Sequence, residues 1–153
     1  TMGTFDILHI GHFRYLEKAK ARGDFLIVGV DSDEKVKNRK GPTRPLIPEE
    51  ERLEALTHSR HVDLVFLKRA DDAKWQLIKT VRPDTLVATW ETYDENQLKA
   101  LGEFCGEVVV LEPQATTTTT AKIRLLLISH LTQVEEALKG VLKIIEQLKG
   151  EKV

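Results

Sequence analysis

At 153 residues, with 23 basic and 24 acidic side chains and a net charge of −1, the chain is the size of one domain able to bury a core, and it lacks the basic excess of a general nucleic-acid binder. Its single cysteine, Cys105, excludes a disulfide framework within the chain and points to a reducing, cytoplasmic setting. No apolar run approaches the roughly 20 residues that span a membrane, and no signal peptide is visible.

In chain order, apolar runs alternate with helix-like stretches. A first strand is expected ahead of "GTFD", because a phosphate loop follows a strand, yet only Thr1 and Met2 precede it. Three readings stay open: the chain begins inside that strand, residues are missing from its front, or the C-terminal "GEKV" lies alongside and completes it. Residues 11–22 suit a helix. "FLIVGV" (25–30) is a short continuous apolar run, the mark of a buried parallel strand. Residues 31–47 read as a basic, proline-containing loop. It leads into a helix over 48–60, with Pro48 at its start and Glu49, Glu50 and Glu51 in its positive first turn. Strands are expected at 62–67, 85–89 and 107–112, and helices at 71–81 and 94–105. This alternation predicts an α/β fold with right-handed crossovers. Trp75 and Cys105 read as packing residues.

The stretch "GTFDILHIGH" (3–12) carries the most chemistry. Gly3 and Gly11 let a backbone approach a ligand closely. The first N–H groups of a helix are unpaired and sit at its positive end, so anions bind there. His9 and His12 flank Gly11 at such a start. As hydrogen-bond donors they would stabilise the charge of a phosphoryl-transfer transition state. The competing reading makes His9 a loop residue and His12 a helix-surface residue.

The flanking residues resemble the G-x-F-D-x-x-H-x-G-H signature of the cytidylyltransferase-like nucleotidyltransferases, over about residues 1–124. That family includes glycerol-3-phosphate and phosphoethanolamine cytidylyltransferases and ADP-heptose synthases. The resemblance implies a Rossmann-like parallel sheet with helices on both faces, and Mg²⁺-dependent transfer of a nucleotidyl group from CTP or ATP to a phosphorylated small-molecule acceptor. It makes His9, His12 and Lys40 catalytic. It puts Gly3, Thr4, Phe5, Gly11, Arg52, Glu91, Thr119 and Thr120 at the nucleotide, and Asp6 and Lys40 at the acceptor. Asp6 is open to a second reading, as a residue that holds the loop.

"KGP" followed by "PEEER" matches the family's lysine loop and arginine helix, so Lys40 would reach both phosphates and Arg52 would brace them. Arg44 is a weaker candidate, and Lys35, Lys37 and Arg39 read as solvated. "QATTTTTAKIR" (114–124) stands in place of the family's "RTEGISTTKI", with Gln114 at the arginine and Thr117 at the glycine. A cation is then missing unless Lys122 or Arg124 supplies it. "LVATWETYDENQ" (86–97) lacks the family's Gly-Asp stretch. Glu91 is the nearest acidic equivalent, and Trp90 either stacks on a base or caps the core. These departures keep a second reading alive, a non-catalytic nucleotide-binding or assembly module.

Residues 125–153 form a helical extension to the 1–124 domain. Leu127, Leu131, Val134, Leu138, Val141, Ile145 and Leu148 recur at alternating spacings of 4 and 3, an apolar seam of about three heptads. Thr132 and Glu135 resemble a capping box, where a helix would restart. The seam packs either on its own domain or against a partner, and relatives commonly pair, so a homodimer is expected. Membrane binding does not fit the mixed charges of the polar face.

Overall fold

The computed structural model describes residues 1–90, 92–115 and 119–150. It divides into two units, Thr1–Thr116 and Thr117–Val153. In the first, the order is β1 (Met2–Gly3), α1 (Ile10–Lys20), β2 (Ile27–Asp31), α2 (Asp33–Lys40), α3 (Glu49–Thr57), β3 (Leu64–Lys68), α4 (Gln76–Val81), β4 (Thr85–Ala88), α5 (Glu95–Leu101) and β5 (Glu107–Val110).

The strands pair in parallel as β1-β2-β3 and as β4-β5. The fold is α/β, as the alternation predicts. Met2 and Gly3 pair with Gly29 and Val30, so the short segment ahead of the opening loop is a strand. Residues 151–153, the other candidate for that place, lie outside the described residues.

Side chains on successive strand residues point to opposite faces. Along β4 this separates two cores. Val87 joins Val28, Val30, Leu16 of α1 and Leu56 of α3 on one face. Leu86 and Ala88 join Met2, Ile78 of α4 and Leu98 of α5 on the other. Helices therefore cover both faces. Tyr15 of α1 ties the two strand groups together, its hydroxyl donating to the Val87 carbonyl at 3.1 Å.

Three elements depart from the expected pattern. Residues 33–40 are a helix, α2, not a loop. Ser32 caps it by accepting from the Lys35 N–H at 3.2 Å. Asp33 and Glu34 open it, Lys37, Arg39 and Lys40 close it, and Val36 is fully buried beneath it. Caps and charges suited to the helix dipole outweigh the lack of an apolar stripe. Helix α4 starts only at Gln76, because the Asp72 carboxylate accepts the Arg69 N–H at 2.6 Å and holds residues 69–72 in a turn. Helix α5 ends at Leu101, ahead of Gly102.

The second unit holds one helix, α6 (Thr119–Gly150), of 32 residues. It does not restart at Thr132. That hydroxyl donates to the Ile128 carbonyl one turn back at 3.0 Å, and Glu135 pairs with Lys139 at 2.7 Å. Among the described residues no helix is long and apolar enough to cross a membrane.

Candidate active site

The site gathers at the carboxyl ends of β1, β2 and β3, where ligands of open parallel sheets bind. The chain leaves β1 at Gly3 and reaches α1 through residues 4–9. His9 is the N-cap of α1. Its Nδ1 accepts the Gly11 N–H at 3.1 Å, and the His9 N–H donates to Nδ1 of His12 at 3.2 Å. The two rings lie 4.1 Å apart, centroid to centroid. This is a capping box with histidines in the places usually held by Ser or Thr and by Glu. Because each Nδ1 accepts, the neutral ring carries its proton on Nε2. Both histidines therefore present an Nε2–H donor edge at the positive end of the helix.

The glycines serve packing. A side chain at Gly11 would stand 2.7 Å from Cβ of Ala115 and 2.9 Å from the His9 ring. One at Gly3 would meet the Phe5 ring at 2.9 Å. At both positions the space that a Cβ would take is filled by protein, so each must be glycine. The contact at Gly11 also shows that residues following β5 return to the start of α1.

Thr4, Phe5 and Asp6 are buried and act as a hub. Phe5 holds a positive φ of 51°, uncommon for a residue with a side chain. Its ring fills the space over Gly3 and lies 5.7 Å from that of His12. Asp6 holds the following loop: Oδ1 accepts from the Leu46 and Ile47 N–H groups, both at 2.9 Å, and Oδ2 pairs with Arg44 at 2.7 Å. Of the two sequence readings of Asp6, this geometry matches the second.

Arg52 is buried, at 1% exposure. Its guanidinium donates to the carbonyls of Ile47, Thr4 and Asp31 and to the Asp33 carboxylate. It pins loop, hub and strand end together from below. Arg39, which the sequence presents as solvated, donates to Thr4 Oγ1 at 2.8 Å and to Asp31 Oδ2 at 2.9 Å. Lys68 holds the other Asp31 oxygen at 2.8 Å, and Asp31 and Lys68 are register partners at the ends of β2 and β3. Lys40 closes α2 on the exposed side of this cluster. Desolvation, then the neighbouring Arg39 and Arg44 charges, lower its pKa below the usual lysine value, against the pull of Asp6 and Asp31. Burial, and then the Asp31 carboxylate, push the Tyr93 hydroxyl well above its ordinary value.

The structure thus brings Gly3, Thr4, Phe5, Asp6, Gly11, His9, His12, Lys40 and Arg52 around one loop. Glu91 lies outside the described residues, and so do the side chains of Thr119, Thr120, Lys122 and Arg124. Gln114 donates to the Glu112 carbonyl within its own segment. Trp90 is 55% exposed and does not cap the core. Arg39, Asp31 and Lys68 were missed, since only the sheet register joins residues so far apart in sequence. A resident magnesium ion does not fit here. Both oxygens of Asp6 and of Asp31 are taken by N–H groups or cations, and no group of three or more His, Cys, Asp or Glu among the described residues is placed to hold a metal. A cavity of about 350 Å³ opens at the opposite, amino-terminal ends of the strands, between Ile27, Leu77 and Thr85, and includes none of these residues.

Comparison with known proteins bears on this arrangement. Residues 1–129 match the family model described as cytidylyltransferase-like. The bifunctional protein HldE of Sulfurimonas denitrificans is 40% identical over 127 residues, covering 81% of this chain and 26% of the relative. HldE of Nitratiruptor is 51% identical over 87 residues, covering 57% of this chain and 19% of the relative. The chain thus spans about a quarter or less of these relatives' length. A crystal structure of the lipopolysaccharide core biosynthesis protein from Thermoplasma volcanium superposes with a TM-score of 0.64 at 29% identity, covering 73% of this chain and 93% of that one. The chain belongs to the cytidylyltransferase-like family of nucleotidyltransferases.

Proposed function

We propose that this chain catalyses nucleotidyl transfer from a nucleoside triphosphate to a phosphorylated acceptor. An oxygen of the acceptor phosphate attacks the α-phosphorus in line, the bond between the α-phosphorus and the bridging oxygen breaks, and pyrophosphate leaves. The acceptor phosphate is already ionised near neutral pH, so neither a covalent intermediate nor a general base is needed. Catalysis is then positioning and charge stabilisation. The observation that carries this reading is the reciprocal His9–His12 cap, which commits both Nδ1 atoms to the helix start and so fixes both rings beside its positive end, where the departing phosphates would lie.

Lys40 reaches the acceptor phosphate and the α-phosphate, with Arg39 and Arg44 adding positive potential that binding of the anions relieves. Arg39 and Arg44 also supply cations that Gln114 cannot. Arg52 and Asp6 hold the loop, and the nucleotide lies against residues 3–5 and 11; Glu91, Thr119 and Thr120, which the family resemblance assigns to the nucleotide, lie outside the described residues or have side chains that do. Magnesium enters with the triphosphate, as part of the substrate. We favour ATP with a sugar phosphate: ADP-heptose synthases are among the family that residues 3–12 resemble, and the solved neighbour is named for lipopolysaccharide cores, which contain sugars. CTP with a phosphorylated alcohol is the second pairing. The enzyme works in the cytoplasm, where both substrates are made. The 125–153 extension joins copies of the chain, in place of packing on its own domain.

Pyrophosphate release tests this, with ATP or CTP crossed against phosphorylated sugars and alcohols. Release that requires both substrates supports the proposal. Nucleotide binding without release from any pair would favour the non-catalytic module, the reading that the substitution at Gln114 suggests.

A further inference from the structure

From Leu125 to Ile145, α6 carries eleven large apolar side chains that are 43% to 72% exposed among its described residues. At about 100 Å² each and roughly half exposed or more, they present apolar area on the order of 600 Å². That is at the top of the range for the largest patch of an ordinary monomer, about 300–600 Å², and approaches the roughly 800 Å² each partner gives to a stable interface. Most of α6 lies beyond the family match, which ends at residue 129. The shared fold therefore does not require this surface.

The pattern says what covers it. The seam repeats every 3.5 residues, the period of helices that supercoil around like helices; a helix lying on a globular core follows 3.6. With the 4-and-3 spacing read as heptads, Leu131, Leu138 and Ile145 fall at a, and Leu127, Val134, Val141 and Leu148 at d. Two features set the number of helices. Two of the a/d layers, Leu131 with Val134 and Leu138 with Val141, put leucine at a and β-branched valine at d, which shifts preference towards three or four strands, while Ile145 with Leu148 is the two-stranded arrangement. The flanking e and g positions include Ile128, Ala137, Leu142 and Ile144, which a two-stranded coil would leave at its wet edge. From residue 129 on, the b, c and f positions hold no large apolar side chain. The apolar stripe covers about four of seven positions, the width that a bundle of more than two helices buries. In parallel register, g of one helix meets e of the next heptad in its neighbour: Ala137 meets Leu142, His130 meets Glu135, and Ile144 meets Lys149. No like charges meet.

We infer that α6 is an assembly helix whose partner is α6 of other copies of this chain, in a parallel bundle of three or four. This deepens the self-association proposed above and is independent of the chemistry at His9 and His12.

Light scattering and sedimentation equilibrium of the full chain at micromolar concentration test it. The expected mass is three or four times the 17.4 kDa of one chain. A monomer or a dimer overturns the inference. Leu142→Lys with Ile144→Glu makes the flanks polar and spares the a and d seam, so it should lower the mass to two chains with unchanged helical circular dichroism. A double variant that keeps the wild-type mass would show that the flanks are not buried and would overturn the bundle. Leu138→Glu with Ile145→Glu should give monomers. If that pair instead lowers the melting temperature of a chain that was always monomeric, α6 packs on its own chain. Pyrophosphate release, measured in parallel, reports separately on the proposed reaction.

Discussion

His9 and His12 cap the same helix start through each other: Gly11 donates to Nδ1 of His9, and His9 donates its backbone N–H to Nδ1 of His12. The pair is thus structural through its Nδ1 atoms, and the proposed chemistry would use the imidazoles themselves. These two roles can be separated by substitution.

His9→Asn keeps a good N-cap acceptor but removes the imidazole Nε2–H. It should melt within a few degrees of the wild type and lose about 10²–10³-fold in turnover, the usual effect of deleting one transition-state donor. His12→Ala should lose turnover to a similar degree, with nucleotide affinity changing much less. Equal losses in affinity and turnover, measured by calorimetry and steady-state kinetics, would remove the catalytic assignment.

Arg52 is tested through stability. Arg52→Met retains much of the buried stem but leaves three carbonyls and the Asp33 carboxylate without their donor. Loss of one partner from a buried charged network costs roughly 3–5 kcal/mol. Thermal or urea unfolding should show a loss of that order. Near-wild-type stability would mean that the bracing role is wrong.

The lowered pKa of Lys40 gives a pH dependence. Burial and the neighbouring cations disfavour the charged form of Lys40, and a bound polyphosphate favours it, so binding raises that pKa again. Affinity for pyrophosphate should therefore fall as pH rises through the Lys40 value, which lies below 10.5. Lys40→Ala should bind more weakly at neutral pH and lose most of this alkaline limb. With acceptor and nucleotide, the same variant should show a higher KM and lower turnover together. Protease sensitivity across residues 38–43 checks whether the end of α2 orders on binding, and protection by both substrates together is expected.

Tyr15 gives an independent alkaline signature. Burial raises its pKa to about 12 against the Thr1 hydrogen bond, which lowers it. A folded pKa raised from 10 contributes stability that is fully present below pH 10 and lost as pH rises towards 12. The shift corresponds to roughly 3 kcal/mol. Tyr15→Phe should be less stable at pH 8 by about 1 kcal/mol, through loss of its bond to the Val87 carbonyl. Its stability should also fall less steeply between pH 10 and 12. Parallel curves for variant and wild type would contradict the assignment.

Much of the fold was legible because its signals are local. The runs at 25–30 and 85–89 are continuous and apolar, and Glu49, Glu50 and Glu51 follow Pro48, so the elements fell near their expected places. Helix α2 was not legible from its periodicity, since it buries only Val36, and the prolines that follow it suggested a loop. Within the candidate site, the motif residues were readable through the family resemblance of residues 3–12. The cation cluster was not. Arg39 meets Thr4 across 35 positions of sequence and Lys68 meets Asp31 across 37, and only the parallel register brings them together. Nor was it legible that Phe5 and Ala115 pack where a Cβ on Gly3 or Gly11 would stand.

The most direct test of the central claim is pyrophosphate release by the folded wild-type chain and by His12→Ala, with MgATP and a panel of sugar phosphates. Release from the wild type is expected only when an acceptor is present, with formation of an equal amount of nucleotide sugar and a loss of about 10²–10³-fold in the variant. A wild-type chain that binds nucleotide but releases no pyrophosphate with any sugar or alcohol phosphate, with ATP or CTP, would contradict it.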